Sequence, residues 1–317
     1  MPTIPGGAIG STGDGLNGPT TTAINDVLNS FGATDSTDNF DIINASSTLV
    51  SGSNFAIMAA GVDSLTGSSD DNLLVANSND NLLDGAEGAD TIFAATGADT
   101  IDGGDNNDMV YGGEDGDSIV GGAGDDVLFG NEGGDTLVGG LGDDQLWGGQ
   151  DDDLVILGDD DSGYGGVGAD TVSGDVNDNI AYGNQGNDLV DGGNGDDSLF
   201  GGQGGDSVVG GDGADEIHGN AGNDTLTGGA GADNFVYLRA TDGSDTIIDF
   251  TLGVDKISIE RDVFLPGDPN EVQIADFTIE TVGGNVVIHL SDAVSVTLMG
   301  LTEEQVRLQL EDIIDLI

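Results

Sequence analysis

The chain has 317 residues, with 60 Asp or Glu against four Lys or Arg and a formal charge of -56. The four Lys and Arg residues (Arg239, Lys256, Arg261 and Arg307) lie in the last third, so residues 1–238 carry no Lys or Arg to pair with the acids. Such a surface repels nucleic acid and anionic lipid, and with no Cys the chain has neither disulfides nor thiol chemistry.

Residues 1–20 are rich in Gly, Thr and Pro and are expected to be flexible. They carry no basic, then apolar, export leader, and no apolar run in the chain nears the roughly 20 residues of a membrane span. Residues 21–66 are expected to form an N-terminal cap or interaction segment. In "TTAINDVLNSFG", Ile24, Val27, Leu28 and Phe31 are spaced as a short amphipathic helix, and residues 40–62 are expected to be strands that start the next structure and cover its first coil.

From residue 67 to 236 the chain counts in nines. Asp occupies the sixth place at Asp90, Asp99, Asp108, Asp117, Asp126, Asp135, Asp144 and Asp153, and again at Asp188, Asp197, Asp206, Asp215, Asp224 and Asp233. An aliphatic or Phe fills the eighth place, from Ile92 to Phe235. Weaker copies are expected at Asp71 and Asp80. The count slips over 156–182, where Ser162 stands at the acid place and Asp170 and Asp178 follow at altered spacing. Asp115 and Asp151 replace a fourth-place Gly and are expected to distort their turns.

Each unit divides into a Gly-rich turn and a short strand with one inward residue. Two units, 18 residues, make a coil, and stacked coils make a parallel β-solenoid. One large buried side chain per unit contributes about 1.5–3 kcal/mol, whereas ordering nine residues costs on the order of 10 kcal/mol. Stacking also brings carboxylates together. A divalent cation answers both problems: Ca²⁺ takes six to eight oxygens, and its binding energy becomes folding energy. The expected ligands are the sixth-place acids above together with Asp170. The first-place glycines Gly103, Gly121, Gly139, Gly192, Gly201, Gly210 and Gly228 are expected to add turn carbonyls. One ion per unit gives roughly fifteen.

These residues resemble the repeats-in-toxin (RTX) family, whose nonapeptide is GGxGxDxUx; "GGNGDDSLF" (192–200) and "GGQGGDSVV" (201–209) are examples. The resemblance implies a right-handed calcium-filled β-roll in which the sixth-place Asp and carbonyls of the first four loop positions hold Ca²⁺ between coils. It also implies secretion, in a Gram-negative type of bacterium. Residues 237–317 resemble the cap that follows such rolls in secreted proteases and lipases. Within it Asp242, Asp245, Asp249 and Asp255 are either further ligands or turn acids. Residues 284–300 read as a β-hairpin. Thr302 reads as the N-cap of a helix carrying Val306, Leu310, Ile313, Ile314 and Ile317. Residues 302–317 also resemble the uncleaved signal of type I secretion.

For an enzyme, the sequence offers neither HExxH nor GxSxG. His218 falls on an outward place and is expected to be exposed; His289 falls in a strand. Phe93, Tyr111, Phe129 and Trp147 also take outward places, with Phe93 and Phe129 expected on one face and Tyr111 and Trp147 on the other. The sequence therefore points to a secreted, extracellular or cell-surface calcium-binding protein, not an enzyme. Its role would be structural, surface or adhesive, with surface or matrix components or further copies as partners. The alternative is a secreted enzyme acting on polysaccharide or protein.

Overall fold

A computed structural model describes residues 40–43, 47–48, 55–58, 63–260, 277–291 and 293–317. The segment expected to be helical around Ile24–Phe31 lies outside these residues. Among the described residues two sheets face each other, one of 14 strands and one of 15. Up to Lys256–Ile259 successive strands alternate between the sheets, so neighbours within a sheet are one coil apart and parallel. Together they form an all-β solenoid of about 11 turns.

The register confirms the 18-residue coil: Ile101 pairs with Ile119, and Ile119 with Leu137. These residues and their counterparts on the other sheet are fully buried, forming one continuous, thin core. Strands Phe40–Ile43 and Phe55–Met58 already pair in parallel, so solenoid pairing begins before residue 67.

The slip over 156–182 is a coil of 17 residues, in which Gln145 pairs with Ser162 and Leu154 with Thr171. Its inward place falls on Gly163, which has no side chain to bury. Leu157 fills the gap: a β-carbon on Gly163 would lie 2.6 Å from Leu157 Cδ2 and 3.1 Å from Val172 Cγ1. One buried leucine thus repairs a core position that the shortened coil leaves empty.

At the C-terminal end the second sheet continues through Ser295–Leu298, parallel to Ser244–Ile247. The expected hairpin follows, Asn285–His289 antiparallel to Ser295–Leu298, with Thr278–Val282 beyond it. Helix α1, Glu303–Ile313, begins at Thr302, whose hydroxyl and Gln305 form a reciprocal capping box. Val306 and Ile313 are its buried residues. The helix ends earlier than its apolar spacing implied. Ile314–Leu316 turn into a strand that pairs with Ile257–Ile259 and closes the first sheet. The β-branched pair Ile313–Ile314 favours that change, and the sheet edge supplies hydrogen bonds that a further helical turn would not bury.

Candidate metal centre

The sixth-place acids form two ladders, one along each line of turns. The backbone N–H of Asp90 donates to Oδ1 of Asp108 at 2.7 Å, Asp108 to Asp126 at 2.7 Å, and Asp126 to Asp144 at 2.7 Å. The other line runs Asp99, Asp117, Asp135, Asp153 and Asp170 in the same way. Each acid therefore ties its turn to the turn one coil before, using a single carboxylate oxygen.

The second oxygen is left over. Oδ2 is buried without a hydrogen-bond partner at Asp90, Asp99, Asp108, Asp117, Asp126, Asp135, Asp144, Asp153 and Asp170, and at Asp188, Asp197, Asp206, Asp215, Asp224 and Asp233. These are the fifteen acids expected as ligands, fourteen on the nine-residue count and Asp170 within the slip. Fifteen orphaned buried carboxylate oxygens in a stretch without Lys or Arg are a large unpaid cost unless something cationic meets them.

The first-place glycines open the space for it. A β-carbon on Gly201 would lie 2.6 Å from Oδ2 of Asp206 and 2.8 Å from the carbonyl oxygen of Gly219, one coil on. Gly103, Gly121, Gly192 and Gly210 have the same surroundings; at Gly139 the oxygens are those of Asp144 and Asp161, and at Gly228 that of Asp233. Any side chain here would fill the opening between a carboxylate and a carbonyl. The described residues contain no cluster of three or more His, Cys, Asp or Glu side chains able to hold a metal. A cation here would have to draw on backbone carbonyls as well. The donors are all hard oxygens, a set that fits Ca²⁺.

Electrostatics point the same way. Burial, reinforced by the neighbouring carboxylates Asp90, Asp102 and Asp105, pushes Asp108 up to about 7. Asp126 and Asp144 are likewise raised to about 7, chiefly by burial. Without a cation these groups hold protons near neutrality.

Several rungs differ from the expectation. In the N-terminal copies the ladder residues are Asn72 and Asn81, which donate to Asp90 and Asp99. Asp71 and Asp80 sit one place earlier and instead accept from Ala89 and Ala98 in the outer turn. In the short coil the rung is Asp161, not Ser162. Its Oδ1 accepts from Asp144 at 2.7 Å and its Oδ2 from Gly158 at 2.5 Å, so neither oxygen is orphaned. The next rung is Asn179, not Asp178. Its Nδ2 donates to the carbonyls of Gly158 at 3.2 Å and Asp159 at 2.6 Å. Here the amide meets the carbonyls itself. Counting 18 back from Asp90 and Asp197 would have found Asn72 and Asn179.

Asp115 and Asp151 do not distort their turns. They adopt left-handed φ of 75° and 74°, which Asp tolerates, and the following rungs at Asp117 and Asp153 are regular.

Of the cap acids, Asp249 accepts from the backbone of Gly228 and Gly229, and Asp255 from that of Asp233 and Thr251. Asp245 accepts from Asp224 through Oδ1 and faces the buried Tyr237 hydroxyl, and Asp242 keeps a buried, unpartnered Oδ1. Burial raises Asp245 to about 8.

The outward aromatic residues share one sheet. Phe93, Tyr111, Phe129, Trp147, Tyr164, Tyr182, Phe200 and His218 stack in a single line, centroids 4.4–5.3 Å apart. Phe93 and Tyr111 are a full coil apart, so they cannot fall on opposite faces as expected. His218 is 5% exposed, stacked on Phe200 and bonded to Glu216 at 2.8 Å. It is buried, contrary to the expectation.

A two-sheet roll with oxygen-lined turns at 18-residue intervals defines a calcium-binding β-roll. The RTX calcium-binding nonapeptide repeat model matches residues 59–92, 84–119, 111–145, 129–163, 164–199 and 200–235, and the chain belongs to that family. A search of curated proteins finds no match. Among solved structures, the extracellular lipase LipA of Serratia marcescens is similar at 16% identity and a TM-score of 0.32, over 71% of this chain and 41% of the lipase chain. The chain thus spans less than half of that lipase. Among the described residues no helix is long and apolar enough to cross a membrane.

Proposed function

We propose that this protein is a secreted, non-enzymatic β-roll that folds when it meets extracellular calcium and then serves as a structural, surface or adhesion component. The observation that carries the reading is the row of fifteen buried, partnerless Oδ2 atoms with no Lys or Arg before Arg239. When bound, calcium supplies the positive charge and the oxygen contacts that these turns lack. Roughly fifteen ions correspond to one per orphaned carboxylate of the repeats, from Asp90 to Asp233.

In the low-calcium cytosol the chain repels itself and stays extended, a state suited to export by type I secretion machinery. Residues 302–317 are the proposed export signal, and 237–317 the cap that closes the roll. Outside, the carboxylates no longer oppose stacking, and the Asp-to-Asp ladders and the core form together. Sites at Asp242 and Asp245 would extend the series into the cap.

The test is to count ions by calorimetry and elemental analysis on the refolded chain, and to screen the calcium form against protein, lipid and acidic polysaccharide. The proposal expects about fifteen ions and no turnover. Fewer than a handful of ions would sink the calcium switch, and turnover would replace the structural role with the enzymatic one.

A further inference from the structure

The eight-ring ladder lies on an outward face unlike the rest of the molecule. The outward place two residues before each ring runs from Thr91 to Glu216, and the place two residues after runs from Ala95 to Asn220. Across eight strands of three outward places each, the only acid is Glu216, which is paired with His218; Glu114 and Glu132 follow one residue beyond the third place and border the strip on one side. The opposite sheet, by contrast, carries Asp84, Asp102 and Asp191 on its outward places. In a chain of charge -56, an uncharged aromatic strip needs an explanation.

The stacking restricts what can sit there. Ring planes within the ladder lie 2–20° from parallel, so each inner ring has both faces against its neighbours. A sugar ring or a free aromatic ring cannot stack on it without breaking the ladder. What remains outward is a ridge of ring edges. Beside it runs a line of small residues, with Gly at Gly113, Gly149, Gly166 and Gly202.

We propose that the ladder face is where the folded roll pairs with a second copy of itself. A second copy has the same repeat by construction, so ridge and trough match along the full length in a two-fold pairing. Eight strands about 4.8 Å wide and three outward places about 7 Å long give a face of roughly 38 by 20 Å, about 770 Å². That is close to the roughly 800 Å² per partner of a standard interface. Charge is compatible with this choice: along the three outward places of the strip two such polyanions can touch with few opposing carboxylates, whereas a cationic partner is better served by the acid-lined turns. The calcium dependence of the pairing rests on the proposed function, because the face exists only in the folded roll.

The test is sedimentation velocity of the full chain from low to high micromolar concentration, in calcium and in chelator, with circular dichroism on the same samples. Ile180→Glu places a charge on the face outside the ring stack, and Leu189→Glu places one on the opposite sheet; both positions are exposed. The expected result is a concentration-dependent doubling of mass in calcium, abolished by Ile180→Glu and kept by Leu189→Glu, with a blue shift of Trp147 emission on pairing. A calcium-folded chain that stays monomeric overturns the proposal while leaving the calcium reading intact. Equal loss in both variants, or retention of a monomer on a neutral polysaccharide through this face, also overturns it. A chain that calcium does not fold fails the earlier reading instead.

Discussion

The backbone N–H of Asp126 donates to Oδ1 of Asp144, a full coil away, and leaves Oδ2 of the same carboxylate buried and without a partner. One oxygen holds the coils in register and the other opposes their stacking. Stability in this fold therefore depends on what meets the second oxygen, and the predictions below vary that.

Protons are the first substitute. Burial raises Asp90, Asp108, Asp126 and Asp144 from the ordinary 3.8 to about 7 in the folded chain. Between those values the folded chain binds more protons than the unfolded one. The stability these groups allow is thus full below about pH 3.8 and lost as pH rises through about 7. Circular dichroism in chelator should show more β signal at about pH 5 than at about pH 8, and calcium should flatten the difference. A calcium-free signal that grows with pH would contradict this sign.

Asn179 supplies the second test. Its amide already donates to Gly158 and Asp159, so Asn179→Asp removes those bonds and adds a charge. The expected cost without calcium is about 1–3 kcal/mol, with one additional ion bound in calorimetry. The reciprocal change, Asp126→Asn, should lose an ion and make the calcium-free roll easier to form. An unchanged ion count in both variants would mean that Oδ2 takes no part in binding.

The glycine openings can be filled. Gly201→Ala places a methyl between Asp206 and the Gly219 carbonyl. It should raise the calcium concentration needed for folding, read as the midpoint of a titration, while Gly205→Ala, in more open space 3.5 Å from its nearest neighbours, should move it far less.

The core repair is separable from calcium. Leu157→Ala leaves a hole over Gly163 and should cost about 2–5 kcal/mol in urea unfolding of the calcium-loaded form, with ion count unchanged. Little change in stability would mean that the short coil closes some other way.

Much of this was legible in the sequence because a solenoid writes its structure as a period. The fifteen rung acids, the inward column from Ile92 to Phe235 and the hairpin at 284–300 all follow from spacing and alternation. What was missed came from following the acid type instead of the coil length. Asp71, Asp80 and Asp178 drew attention, while the rungs are Asn72, Asn81 and Asn179. The ring ladder was written in the sequence as intervals of 18 from Phe93 to Trp147, but alternating faces by nines split it between two sheets, and the single 17-residue coil hid its continuation through Tyr164 to His218. Leu157 over Gly163 could not be read at all, since it depends on a side chain reaching back into a neighbour's vacancy. The strand Ile314–Leu316 also escaped a helical reading, because its partner lies some 57 residues away at Ile257–Ile259.

The most direct test of the account is far-UV circular dichroism with sedimentation of the whole chain, titrated from chelator to millimolar calcium. The account predicts a cooperative gain of β signal together with compaction, reversed by chelator. A spectrum and sedimentation coefficient indifferent to calcium would contradict it, because the fifteen orphaned oxygens would then have to be tolerated without a cation.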